Sequence, residues 1–196
     1  YLQLVADNKQ LPLHGKDRIS SDVERYYGYA PMPHSLSSQL KSSDKLTYQS
    51  FFLKSDKFIS QSQEFIHSTH NYPRKYLPGY GYNWESQHPP LYYILLSPVY
   101  LMTNTLSWSK QMFFLRITSY FFAWLGLVLG AFGCLRVAKN QTTLEKVRLW
   151  NWAALGCGLW PVFFPGWFSD VGRLGNDSVC VLLIALTWIV CLRMIQ

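Results

Sequence analysis

The chain has 196 residues, of which 49% are hydrophobic and 17% aromatic, and carries a formal net charge of +7. In a soluble protein that excess of base would suggest nucleic acid, but residues 1–89 hold 10 Lys and Arg against 8 Asp and Glu, whereas residues 90–196 hold 8 against 3. The charge-poor half is the apolar half, and no basic run with interleaved aromatics follows a phosphate backbone, so the pattern excludes a nucleic-acid partner and is that of a membrane protein.

The opening YLQLVADNKQLPL is amphipathic, and Tyr1, Leu2, Leu4 and Val5 predict one face of a short helix that ends by Pro12. It lacks the zones of a signal peptide, and a first residue of Tyr rather than Met predicts a chain that starts late. HGKDRISSDVERYYGYAPMPH follows, turn-rich and mixed in charge. Residues 35–62 are rich in Ser, Lys and Gln, with Leu46, Phe51, Phe52, Leu53, Phe58 and Ile59 irregularly spaced, which suits a surface helix on the bilayer or on another subunit. Glu64, His67 and His70 recur at intervals of three and would share one side of a helix. Zinc needs further ligands that have no suitable spacing nearby, so an exposed polar face is expected there and no metal is assigned. NYPRKYLPGYGYNW then predicts an ordered but irregular loop whose aromatics sit at headgroup level.

Residues 84–108, WESQHPPLYYILLSPVYLMTNTLSW, divide the two halves. Two consecutive prolines remove two backbone donors and fix φ, and proline is welcome in a first helical turn, so Pro89 and Pro90 predict a helix start. The run after them has no charge until Lys110, but it is marginal in length for spanning and Ser97 and Pro98 interrupt it. A helix in or near the interface is expected; a full span over residues 91–107 stays as the alternative.

Beyond it, residues 117–135 form a charge-free run long enough to span, followed by residues 149–168, broken by Pro161 and Pro165, and by residues 178–195. Gly126, Gly130 and Gly133, with Gly156 and Gly158, offer small faces for close helix contact. All four cysteines lie in apolar segments as packing residues, without metal-like spacing or a disulfide framework. Arg136, Lys139, Lys146 and Arg148 stand against Glu145 alone, so the positive-inside rule predicts a cytoplasmic loop there. The segment before Met112 and the loop SDVGRLGNDS then share the other side; if residues 91–107 also spanned, residues 1–89 would be cytoplasmic with the basic loop still inside. The sequons at Asn140 and Asn176 are poor glycan sites, the first expected in the cytoplasm and the second abutting the bilayer.

The predicted fold is therefore all-α integral membrane, with three transmembrane helices, or four if residues 91–107 span, plus a long external loop region bearing juxtamembrane or interfacial helices. Residues 1–89 form the external region, 90–111 the juxtamembrane or interfacial helix, and 112–196 the transmembrane region.

Glu85, Gln87, His88, Pro89, Pro90, Leu91, Tyr92 and Tyr93, then Leu115-Arg116 opening one membrane helix and Arg173, Asn176 and Asp177 opening another, resemble the GT-C superfamily of polytopic glycosyltransferases, in the branch akin to protein mannosyltransferases and aminoarabinose transferases. The resemblance covers residues 1–13 and 80–196, and the Ser-rich middle looks like an insertion. It implies transfer of a sugar from a polyprenyl-phosphate carrier to an acceptor at the non-cytoplasmic face of a plasma or endoplasmic-reticulum membrane. The family's Asp-Glu-x-x-His type carboxylate would fall ahead of Tyr1, and Asp7 does not match it. The resemblance therefore implies an internal piece of such an enzyme, with catalytic residues outside this stretch, or a separate subunit derived from one.

Such chemistry needs a carboxylate to take the acceptor proton and cations or a metal to steady the departing phosphate. The resemblance makes Glu85, His88, Arg116, Arg173 and Asp177 the substrate- and phosphate-binding candidates. Glu85 would bind a divalent metal or orient the acceptor, or be a solvated interfacial carboxylate; related enzymes carry their acid directly before the prolines, where this chain has His88. His88 would donate to a phosphate or cap the following helix. Arg116 would snorkel to headgroups or pair with an external acid. Arg173 and Asp177 would bind the donor, or Asn176 and Asp177 would merely cap a helix. Partners on this reading are the bilayer, the polyprenyl-phosphate-sugar donor and other membrane subunits. The alternative is a non-catalytic membrane subunit that keeps the fold; transport is weaker, because the spanning cores hold no acidic residue.

Overall fold

A computed structural model describes residues 1–13, 15–32, 34–39, 46–67, 75–83 and 88–195. They are mostly helical and divide into two compact units, residues 1–114 and residues 115–196. Two helices are long and apolar enough to cross a membrane.

In the first unit, α1 (Leu2–Asn8) packs on α6 (Leu91–Thr103). Gln3, Leu4, Val5 and Ala6 are buried on α1, and Tyr92, Tyr93, Leu96, Tyr100 and Thr103 on α6, a helical spacing that forms one stripe. Tyr1 stacks on Tyr93 with ring centroids 3.9 Å apart. Each fully buried side chain here contributes on the order of 2 kcal/mol. The opposite face of α6 exposes Leu91, Ile94, Leu95, Leu101 and Met102. Pro90 stands at the N-cap as expected, but Pro98 does not interrupt the helix. Only one backbone donor is missing there, and the hydroxyls of Ser97 and Thr103 donate to the carbonyls of Tyr93 and Val99, each at 2.7 Å.

The first unit is not all helical. β1 (Arg18–Ser20) pairs antiparallel with β2 (Pro78–Tyr82), Arg18 opposite Tyr82 and Ser20 opposite Pro78 with an irregularity between. This corrects both the all-α expectation and the irregular loop expected over PGYGY. α2 (Ser21–Tyr29) starts from Ser20, whose hydroxyl accepts from the Val23 amide, with Asp22 and Glu24 in the first turn where the helix dipole favours acids. α3 (His34–Gln39) is short; α4 (Tyr48–Phe52) is closed by a Thr47–Ser50 capping box. α5 (Asp56–His67) packs on α2 through Phe65, stacked on Tyr29 at 4.4 Å. The expected surface helix over residues 35–62 is thus split, because Leu53 to Ser55 separate α4 from α5.

α7 (Trp108–Lys139) is 32 residues long, about 48 Å. In the second unit its residues meet α10 (Asp177–Ile195) at two glycines: a Cβ on Gly126 would lie 2.9 Å from the Leu182 backbone, and one on Gly133 would lie 3.2 Å from Ile189. Seven residues separate the two glycines and seven separate their partners, in the same order, so α7 and α10 run parallel. Gly130 looks instead toward Cys157 of α8 (Leu144–Phe163), whereas Gly156 and Gly158 meet nothing and supply no packing face. α8 continues through Pro161 into its last turn and stops at Phe164, and Pro165 then caps α9 (Gly166–Val171). Trp167 and Val171 of α9 pack on Ala123, the Tyr120 hydroxyl donates to the Phe168 carbonyl at 2.6 Å, and Trp124 meets Trp167 edge to face at 5.4 Å.

Candidate functional site

Glu85 and Gln87 lie outside the described residues. His88 is exposed in the first unit, and its carbonyl accepts from the Tyr1 hydroxyl at 3.4 Å. Arg116 is exposed but does not open a helix: α7 begins eight residues earlier, at Trp108. The polar residues ahead of Arg116 are helical because they are satisfied. The Gln111 amide donates to the Ser107 carbonyl at 3.0 Å, and its buried side chain donates to the Tyr100 carbonyl at 3.3 Å.

In the second unit, Arg173 and Asp177 sit in one polar turn, RLGND, between α9 and α10. The Arg173 guanidinium lies 3.8 Å from the Asp170 carboxylate, with 74% and 59% of the two side chains exposed, a pair worth about 0–1 kcal/mol. Asp177 is exposed in the first turn of α10, where its charge suits the helix dipole. Asn176 accepts the first helical bond through its carbonyl, from the Cys180 amide at 2.9 Å, but its side-chain oxygen is buried without a partner and makes no cap. The Ser178 hydroxyl is likewise buried and unpartnered. Together with Asp170 of α9, the turn therefore presents one guanidinium and two carboxylates to its surroundings. An open groove of about 720 Å³ in the same unit is lined by Leu127, Cys157, Trp160, Phe164, Trp167 and Val181, with no charged side chain.

Glu64 and His67 both lie on α5, with the His67 Nδ1 3.2 Å from the Ser109 hydroxyl, and His70 is outside the described residues. Among the described residues no three ligating side chains gather around a point that would hold a metal.

Two carboxylates in the first unit escaped sequence reasoning. Asp7 accepts from the Tyr76 amide at 2.6 Å, and the Tyr76 hydroxyl donates to the Arg18 carbonyl at 2.8 Å. Burial pushes the Asp7 carboxyl above the ordinary carboxylate range, outweighing the Tyr76 amide and the Lys75 charge, which pull it down. Glu24 accepts from the amides of Tyr80, at 2.8 Å, and Gly81. A Cβ on Gly79 would lie 2.5 Å from that carboxylate, so a side chain there would push the carboxylate aside. Arg18 donates to the Tyr80 carbonyl at 2.8 Å and lies over the Tyr82 ring. The alternation of Gly and Tyr in PGYGY is the signal that would have identified the strand and its cradle. These carboxylates tie the small sheet to α1 and α2 and have a structural task.

No family model matches the chain, and no curated protein and no solved structure matches it.

Proposed function

We propose that the chain is the membrane-embedded portion of a GT-C-type glycosyltransferase that passes a sugar from a polyprenyl-phosphate carrier to an acceptor at the non-cytoplasmic face. The observation that carries this reading is the polar RLGND turn heading α10 at the end of a parallel apolar helix pair opposite the basic loop. Its Arg173 would bind the carrier phosphate, and the neighbouring groove through Phe164 and Trp167 suits a hydrocarbon chain.

The same pair supports three spans: two parallel membrane helices need a return between them, for which α8 is the candidate. α8 begins with Glu145, Lys146 and Arg148 and then runs without a charge from residue 149 to 163, a helix of about 30 Å in all. α6, at 13 residues, is about 20 Å long and short of a hydrocarbon core of about 30 Å, while its exposed apolar face suits a juxtamembrane position. On this reading residues 1–89 lie on the non-cytoplasmic side, with the basic loop inside.

The test is binding of a radiolabelled polyprenyl phosphate to the purified full chain in phosphatidylcholine nanodiscs. R173Q is expected to weaken binding by about tenfold, the loss of one charge-assisted contact. Absence of binding by the unaltered chain would overturn the glycosyltransferase reading. The second reading, a non-catalytic subunit of a larger membrane complex, is favoured by the engagement of Arg173 with Asp170 in a surface pair.

A further inference from the structure

At the other end of the second unit, α7 and α10 finish side by side, and a crevice between them is lined by Gly133, Arg136, Val137, Ile189, Leu192 and Arg193. Both arginines belong to the last turn of their helices and are exposed. Among the described residues neither guanidinium has a carboxylate partner. The enclosed space is about 10 Å³, too small for a phosphate, so a ligand sits at the mouth between the two side chains. Its floor is apolar, and Gly133, which lets α10 approach, keeps the arginines on adjacent helices.

We propose that Arg136 and Arg193 form a two-arginine clamp for a phosphate group, of a lipid headgroup or of a free anion, at the basic end of the helix pair. Two guanidinium groups bring a charge of +2, against which the two helix C-termini set about −0.5 each, leaving a net attraction for one anionic phosphate. Guanidinium offers paired donors matched to phosphate oxygens, and the apolar floor gives a lipid's first methylenes a surface that a free anion would not use. A basic pocket between membrane helices on the cytoplasmic side is where an anionic headgroup is met. The site stands on the crevice alone and does not depend on glycosyl transfer, which concerns the opposite end.

The test uses the full chain in maltoside micelles titrated with dioleoylphosphatidylglycerol, dioleoylphosphatidylcholine or inorganic phosphate, reading Tm and, by native mass spectrometry, bound lipid. Phosphatidylglycerol is expected to raise Tm and to be retained, and phosphatidylcholine is not. Inorganic phosphate that raises Tm equally identifies the free anion as ligand; phosphate without effect identifies the headgroup. R136Q/R193Q is expected to weaken binding by about tenfold or more, and each single variant by a smaller factor. K139Q/K146Q, which removes as much charge outside the crevice, is expected to stay within about twofold. Far-UV circular dichroism checks the fold of each variant, and the single variants serve if the double variant is unfolded. No response to either anionic probe, or equal loss in K139Q/K146Q, would overturn the clamp.

Discussion

Asp7 is a half-buried carboxylate whose folded environment favours its neutral form. Stability carried by this group is complete below the ordinary carboxylate value of about 3.9 and is lost as pH rises through the raised folded one. D7N keeps an oxygen to accept from the Tyr76 amide and removes the desolvated charge. The variant is expected to match the unaltered chain within about 1 kcal/mol at neutral pH and to flatten the fall in Tm as pH rises above the ordinary carboxylate value of about 3.9. Equal pH slopes for the two proteins, read by differential scanning fluorimetry, would rule this out. Sequence reasoning passed over Asp7 because its partner is 69 residues away. His88, Arg116, Arg173 and Asp177 were legible as polar residues beside apolar runs, but their neighbours were not: the pairing of Arg173 with Asp170 depends on the six-residue α9, which only the Pro165 break hints at.

Among the elements, the long helices were legible from uninterrupted hydrocarbon, and their boundaries were not. α7 extends two turns ahead of Arg116 because Gln111 is satisfied by Tyr100, a contact that follows from folding α6 back and has no local signal. α6 passes through Pro98 at the loss of a single helical bond, the one its missing N–H would have given the Ile94 carbonyl. β2 is hidden by its Pro and Gly content, which ordinarily disfavours a strand but here makes room for the Glu24 carboxylate. Of the glycines, Gly126 is the most constrained, since a side chain there meets backbone, which cannot rotate away. G126L is expected to destabilise the second unit by about 1–3 kcal/mol, whereas G156A, with open space around it inside α8, is expected to stabilise it by about 0.5–1 kcal/mol. Thermal unfolding in detergent compares the two; a G126L protein as stable as the unaltered chain would mean that the helices are not held at this contact.

For the molecule as a whole, the proposed topology rests on the parallel pair. Single cysteines introduced as N140C and G175C in a background with Cys134, Cys157, Cys180 and Cys191 replaced by serine are expected to react from opposite sides of a sealed vesicle with a membrane-impermeant maleimide. Reaction of both from one side would exclude three spans. The cytoplasmic side expected for the basic loop comes from composition alone, since headgroup and translocation asymmetry act on charge without regard to fold. The parallel order of α7 and α10 had no such signal, because a stretch of small residues announces contact without naming the partner or its direction.

Contacts spaced by seven residues bind this molecule to a count rather than to a composition. The outward Leu, Val and Phe side chains of α7 can be exchanged for other apolar groups at little cost. A single residue inserted or deleted between Gly126 and Gly133 turns the second glycine by about 100° and drives a bulky neighbour into the seam. Variation along that stretch is therefore tolerated at the outward apolar side chains, but not at the two glycines and not in length.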